Sequence, residues 1–119
     1  MRYTEDEIVD RITLMRELLE SEYQPDNEMD LDNRLMAIDS YLSETVKLMS
    51  DALQLKGEAE VRHINQSPSK IKMVCHNEYR LVEIIEMMEK TLTKAHNSVI
   101  TQISKWKETH MANRMQNNK

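Results

Sequence analysis

The stretch IKMVCHNEYRLVEIIEMMEKTLTKAHNSVITQISKW, residues 71–106, carries one seam at strict three-four spacing: Ile71, Val74, Glu78, Leu81, Ile85, Met88, Leu92, Ala95, Val99, Gln102 and Trp106. Neither Pro nor Gly interrupts it, so the spacing predicts a long helix built to lie against other helices. Large aliphatic side chains crowd its first three heptads and make Ile71, Val74, Leu81, Ile85, Met88 and Leu92 the expected packing or oligomer interface. From Ala95 to Trp106 the seam turns small, polar and flanked by bases, which marks that end as the part suited to a functional contact. Glu78 and Gln102 interrupt the apolar run, and a polar residue in such a seam can set register or partner choice at a cost in stability.

Working back from this stretch, Ser67-Pro68 has the order of a helix N-cap followed by proline at the first helical position, so a third helix is expected over residues 68–112. The single glycine, Gly57, falls where the apolar pattern fades and is read as the end or a weak point of a second helix spanning 29–56, in preference to a tolerated interior residue; the apolar face of that helix includes Leu31, Leu35, Ile38, Leu42, Met49 and Leu53, with Thr45 or Val46 filling the gap. Pro25 separates it from a first helix over 5–23, which starts with a capping box, Thr4 to Glu7, and repeats Ile8, Ile12, Met15 and Leu19 on one face. Residues 113–119 are expected to fray.

One Gly, two Pro and no Phe leave little material for turns or sheet, while Leu, Met, Glu and Lys favour helix throughout. The fold class is all-α: a single domain over residues 1–119, either an elongated helical hairpin or a three-helix bundle, with coiled-coil packing and one long C-terminal helix. In one arrangement the first two helices, bent at Pro25, line the length of the third; in the other, a smaller bundle dimerises. With 39% hydrophobic against 31% charged residues the core is modest, and a homo-oligomer is expected to bury the remaining apolar area. Ten methionines suit irregular helix interfaces, and also surfaces that accept several partners.

The net charge of -5 hides a polarity. Residues 1–60 hold 16 acids and 6 bases, and residues 61–119 hold 5 acids and 10 bases, for nets of -10 and +5. Opposite signs favour folding the two halves on each other, although each exposed ion pair contributes only ~0.2–1 kcal/mol. The basic half can instead face nucleic acid or an acidic partner. The candidate nucleic-acid contacts are Arg62, Lys70 and Lys72 around the loop, and Lys105, Trp106 and Lys107 near the end, with Lys90, Lys94, Arg114 and Lys119 adding charge. An aromatic between two bases suits stacking and backbone contact with a single strand, but Trp106 also lies on the seam, where burial competes.

Motifs for chemistry are absent. Di-iron bundles need two Glu-x-x-His pairs and this chain has one, Glu60 to His63, so no metal or cofactor is expected. No Gly-x-Ser-x-Gly elbow or Gly-rich phosphate loop occurs, and Cys75 at the flank of an apolar face reads as an inert thiol, so no catalytic residue is assigned. A lone cysteine fits a reducing compartment, and neither a signal peptide nor an apolar run of the ~18 residues a membrane span needs is present. The expected location is the cytoplasm, that of the host if the protein is phage-encoded, with no membrane partner.

The break Ser67-Pro68-Ser69-Lys70, the following Glu78-Tyr79-Arg80-Leu81 and the terminal Val99-Ile100-Thr101-Gln102-Ile103-Ser104-Lys105-Trp106-Lys107 resemble small helical proteins encoded among phage recombination genes, including recombination mediators that load a recombinase onto single-stranded DNA. The resemblance covers about fifty residues. The aromatic-rich DNA-contact segment typical of those mediators is missing ahead of the break, so no functional residue carries over. Together these features lead to the expectation of a non-enzymatic, self-associating helical protein that binds another protein, as a phage accessory or inhibitor. The competing expectation is a single-stranded nucleic-acid-binding recombination accessory that uses the basic half.

Overall fold

Thr4 opens the first helix through a reciprocal pair of hydrogen bonds: its hydroxyl accepts the Glu7 N–H at 3.3 Å, and the Glu7 carboxylate accepts the Thr4 N–H at 3.2 Å. This box, with Glu5, Asp6 and Glu7 facing the positive end of the helix dipole, sets the start of α1 (Glu5–Glu20). Ser21 closes it, its hydroxyl donating to the Leu18 carbonyl at 2.6 Å, so α1 stops short of the expected residue 23. Asn27 caps α2 (Glu28–Arg62) by accepting the Asp30 N–H, and Ser67 caps α3 (Pro68–Val74) with proline in the first turn. The last helix is α4 (His76–Asn117). The structure, a computed structural model, describes residues 1–117. Those residues form four helices and no strand, an all-α fold 78 Å long and 24 by 20 Å across.

The later boundaries also differ from those expected. Gly57 does not end the second helix; α2 passes through it in ordinary helical backbone and continues to Arg62. One glycine costs a helix about 1 kcal/mol relative to alanine, and the buried Ala52 and Ala59 on either side keep the helix on its neighbours. Because a Cβ at Gly57 would meet nothing within 4 Å, Gly57→Ala is expected to raise stability by about 0.5–1 kcal/mol. Urea unfolding of the dilute chain checks this, and an unchanged or lower midpoint contradicts it.

The long third helix is also divided. Cys75, at φ -98° and ψ 22°, ends α3, and α4 begins at the next residue. Cys75 is buried while Val74 is exposed, so burial shifts by one residue across the break and the seam no longer continues in one line. At its other end α4 extends past the expected residue 112 to Asn117. The expected frayed tail is thus helical as far as Asn117, and its last two residues, with the side chains of Arg114 and Lys119, lie outside the described residues.

Cross-helix pairs give the topology. The Lys56 ammonium sits 4.3 Å above the Tyr79 ring, His96 meets Asp39 at 2.8 Å, and the Trp106 indole donates to the Asp26 carbonyl at 3.0 Å. Numbers rise along α4 as they fall toward the start of α2, so the two helices are antiparallel. The N-terminal segment and α1 do the same against α2: Arg2 pairs with Glu58, the Tyr3 N–H donates to Asp51 at 2.8 Å, and Arg11 pairs with Glu44. The chain therefore folds back at Pro25 into a three-helix bundle rather than running α1 and α2 end to end.

The shared core consists of Ile8, Ile12 and Met15 from α1, Leu31, Ile38, Leu48 and Ala52 from α2, and Leu81, Val82, Ile85, Met88, Leu92 and Val99 from α4. Among the described residues, the His96–Asp39 contact is the only one of its kind from α4 to α2, while the ion pairs made by Lys and Arg lie within α2 or tie it to the N-terminal segment and α1. Opposite charge in the two halves is therefore not what binds them. Apolar burial does so, at about 25 cal/mol per Å².

Candidate functional site

The seam divides into parts with different fates. Leu81, Ile85, Met88 and Leu92 are buried within their own chain, whereas Ile71 is half-buried and Val74 exposed. A side chain already enclosed by α1 and α2 has no surface left for a second copy, so these four serve packing rather than an interface between chains. Any apolar contact outside the chain must use a different face.

The polar end of the seam works as a clamp. Tyr23 donates its hydroxyl to Gln102 Oε1 at 2.8 Å, and Trp106 holds the Asp26 carbonyl while its ring stacks on His110 with centroids 3.8 Å apart. Trp106 thereby fastens the α1–α2 loop to α4, with one indole face and its only donor in use. A hollow of about 200 Å³ remains beside it, lined in part by Pro25, Asp26, Lys105 and Trp106. Lys105 and Lys107 flank this clamp, but Arg62, Lys70 and Lys72 lie at the opposite end of the rod. From His76, where α4 begins, to Lys105 is 29 residues, about 44 Å at the helical rise. The six candidate nucleic-acid contacts therefore form two separate groups.

Two charged side chains invisible to periodicity are nearly enclosed. Arg34 donates to the Leu19 carbonyl at 3.0 Å and the Ser21 hydroxyl at 2.7 Å, and lies 4.7 Å from the Tyr23 ring centroid. It supplies the cation that the last turn of α1 lacks. Asp51 accepts the Tyr3 N–H and the Lys47 ammonium, at 2.8 and 2.9 Å. Burial pushes its pKa up, but those two donors outweigh it and hold the carboxyl below its ordinary value. Each sits at a polar position whose partner is distant in sequence, and spacing alone carries no sign of that.

Cys75 is buried, and its pKa is raised by burial and by Glu78 and Glu60, which keeps the thiol protonated and unreactive. No three His, Cys, Asp or Glu side chains among the described residues are placed to share a metal ion. A groove of about 490 Å³ runs between α1 and α4, with Ile12, Leu19, Ile84 and Met87 along it and Arg16 and Arg80 at its edges. It carries no constellation of groups suited to catalysis.

The largest unsatisfied feature is the face of α2 opposite the core. Met29, Met36, Val46, Leu53, Val61 and, just past the helix, Ile64 are 48–71% exposed. Sequence reading sought one apolar stripe per helix and put Leu53 on the packing face, whereas the structure leaves it 48% exposed on this one, and the seven-residue interval from Met29 through Met36 to Gly57 and Ile64 went unused. At the turn, Met73 and Val74 add further exposed apolar surface. No known protein family, curated protein or solved structure matches the chain. No helix among the described residues is long and apolar enough to cross a membrane.

Proposed function

We propose that this is a non-enzymatic helical interaction protein that self-associates and acts by binding another protein, as an accessory or inhibitor of the kind phages encode. One observation carries the reading: after the chain has filled its own core, large apolar side chains still line the outside of α2 and the turn beyond it. Large apolar side chains exposed on one side of a helix, in a protein with so many charged residues, are characteristic of a contact surface. At the turn, Ile64, Met73 and Val74 lie among Arg62, Lys70 and Lys72. The partner suited to that end is a protein segment that offers acids around an apolar patch. The unreactive thiol is compatible with action in a reducing cytoplasm, the host's if the gene belongs to a phage.

A nucleic-acid role has one observation in its favour, the three bases at the turn with no acid between Val61 and Asn77. Against it stand the engaged indole of Trp106 and the distance between the two basic groups. Two measurements test the assignment. Protein captured from the native host should include a component retained by the wild type and lost with Met73→Asp/Val74→Asp, a pair of changes at exposed sites. Single-stranded DNA should show no gel shift at micromolar protein in low salt. Equal capture by both forms, or a shift that weakens steeply with salt, overturns the reading.

A further inference from the structure

We infer that the outer face of α2 binds a second copy of this chain, running antiparallel, to form a two-fold dimer. The inference rests on the reading of the protein as a self-associating module, and supplies the surface and its geometry.

The first argument is the pattern on that face. Met29, Met36, Ser43, Ser50, Gly57 and Ile64 follow one another at intervals of seven residues, all exposed. Val46, Leu53 and Val61 lie beside that line. Such a heptad line, with apolar neighbours and no partner within the chain, has the layout of a helix–helix seam. Its small members sit where a facing helix would approach. With Met29 opposite Ile64 of the second copy, Met36 falls opposite Gly57, Ser43 opposite Ser50, and Leu53 opposite Ser40. Val46 then falls opposite Lys47, one residue from its own equivalent, beside the two-fold axis. Met36 and Leu53 thus each face a small residue, which lets the two helices approach and interlock there.

Gly57 gives a second, independent indication. Its backbone is ordinary helix, it ends nothing, and within the chain no neighbour would obstruct a Cβ. Nothing inside the single chain calls for glycine in the middle of a helix that glycine weakens. Opposite Met36 of a second copy, the missing side chain provides the space that methionine fills.

Charge decides the direction. Between Arg16 and Arg34 the sequence has seven acids and no base, and between Val61 and Asn77 it has three bases and no acid. These segments lie at opposite ends of α2. An antiparallel copy brings the basic turn of each chain over the acidic end of the other, twice. A parallel copy would instead place Asp32 against Asp32 and Asp39 against Asp39. The two-fold pairing also satisfies the closed symmetry usual for homodimers.

The extent is sufficient. Thirty-five helical residues span about 52 Å, and a strip of that length about one helix wide covers roughly 600 Å² on each copy, or ~1,200 Å² in total. That is the lower end of the range for specific interfaces.

Sedimentation of the full chain from low micromolar to several hundred micromolar should show a monomer–dimer equilibrium that weakens in half-molar salt. Leu53→Glu should raise the dissociation constant at least about tenfold, with the helical circular dichroism unchanged because the residue is exposed. Gly57→Leu should do the same by filling the space for Met36. Orientation is read by mild oxidation. Val46→Cys should cross-link to itself, Ile64→Cys should not, and a mixture of Ile64→Cys with Met29→Cys should give the mixed dimer. A monomer at every concentration, a dimer indifferent to Leu53→Glu and Gly57→Leu, or self-linking of Ile64→Cys overturns the inference. Capture of a host protein through the turn is scored separately with Met73→Asp/Val74→Asp, so loss of the dimer and loss of partner binding remain distinguishable.

Discussion

Ile85→Ala is expected to lower the unfolding free energy by about 3–4 kcal/mol, while Val74→Ala changes it by less than about 0.5 kcal/mol. Both residues occupy the same heptad line, and a sequence pattern ranks them equally. The difference lies in their surroundings. Ile85 is fully enclosed among α1, α2 and α4, so truncation removes the transfer free energy of its side chain and leaves a cavity that close-packed neighbours fill only in part. Val74 stands on the solvent side of the break at Cys75, where alanine removes little buried surface. Urea midpoints at equal denaturant dependence measure both. Comparable losses at the two positions would mean that α3 continues the packing line of α4.

Asp51→Ala is expected to cost about 2 kcal/mol, because it leaves the Tyr3 N–H without its acceptor and frees the N-terminal segment from α2. Lys47 is half-exposed and can turn to water, so its contribution to the loss is small. The same carboxylate gives the fold a pH dependence. Its folded pKa is below the unfolded one, so the stability it contributes is complete above the ordinary aspartate range, near pH ~3.9, and is lost as pH falls through the folded pKa. Wild-type stability should therefore drop in acid more steeply than that of Asp51→Asn, which keeps the shape and cannot titrate. Parallel acid profiles for the two chains would remove Asp51 from this role.

Local signals in the sequence were legible wherever the physics is local. Thr4 and Ser67 each cap a helix because a short side chain reaches an N–H three residues ahead, within the same turn. Scarcity of glycine and proline, with apolar residues every three or four positions, was enough for an all-α fold. Reading Gly57 as a stop failed for an instructive reason. A propensity cost near 1 kcal/mol is outweighed when the helix on both sides is held by burial. The break at Cys75 ran the opposite way: no helix breaker marks it, and it accompanies the burial of Cys75 in place of Val74.

The candidate contacts separate along the same line. Lys105, Trp106 and Lys107 looked like a stacking site because they are adjacent, yet the indole donates across 80 positions of sequence to Asp26. No spacing marks Arg34 or Asp51, yet each is nearly enclosed, bonded to Leu19 and Tyr3 respectively across a fold in the chain. The exposed line on α2 required both views. Its seven-residue interval is written in the sequence, but only the packed chain reveals that this side of the helix faces away from the core.

Amino-acid order alone determined what depends on neighbours within a few residues: helical class, helix starts, the acidic and basic segments, and which positions share a face. Tertiary structure alone decided which of two apolar faces of α2 is spent on the core, where the long C-terminal seam stops packing, and which charges are buried. Those outcomes depend on contacts between residues tens of positions apart, whose free energies exceed local preference and leave no mark in local spacing.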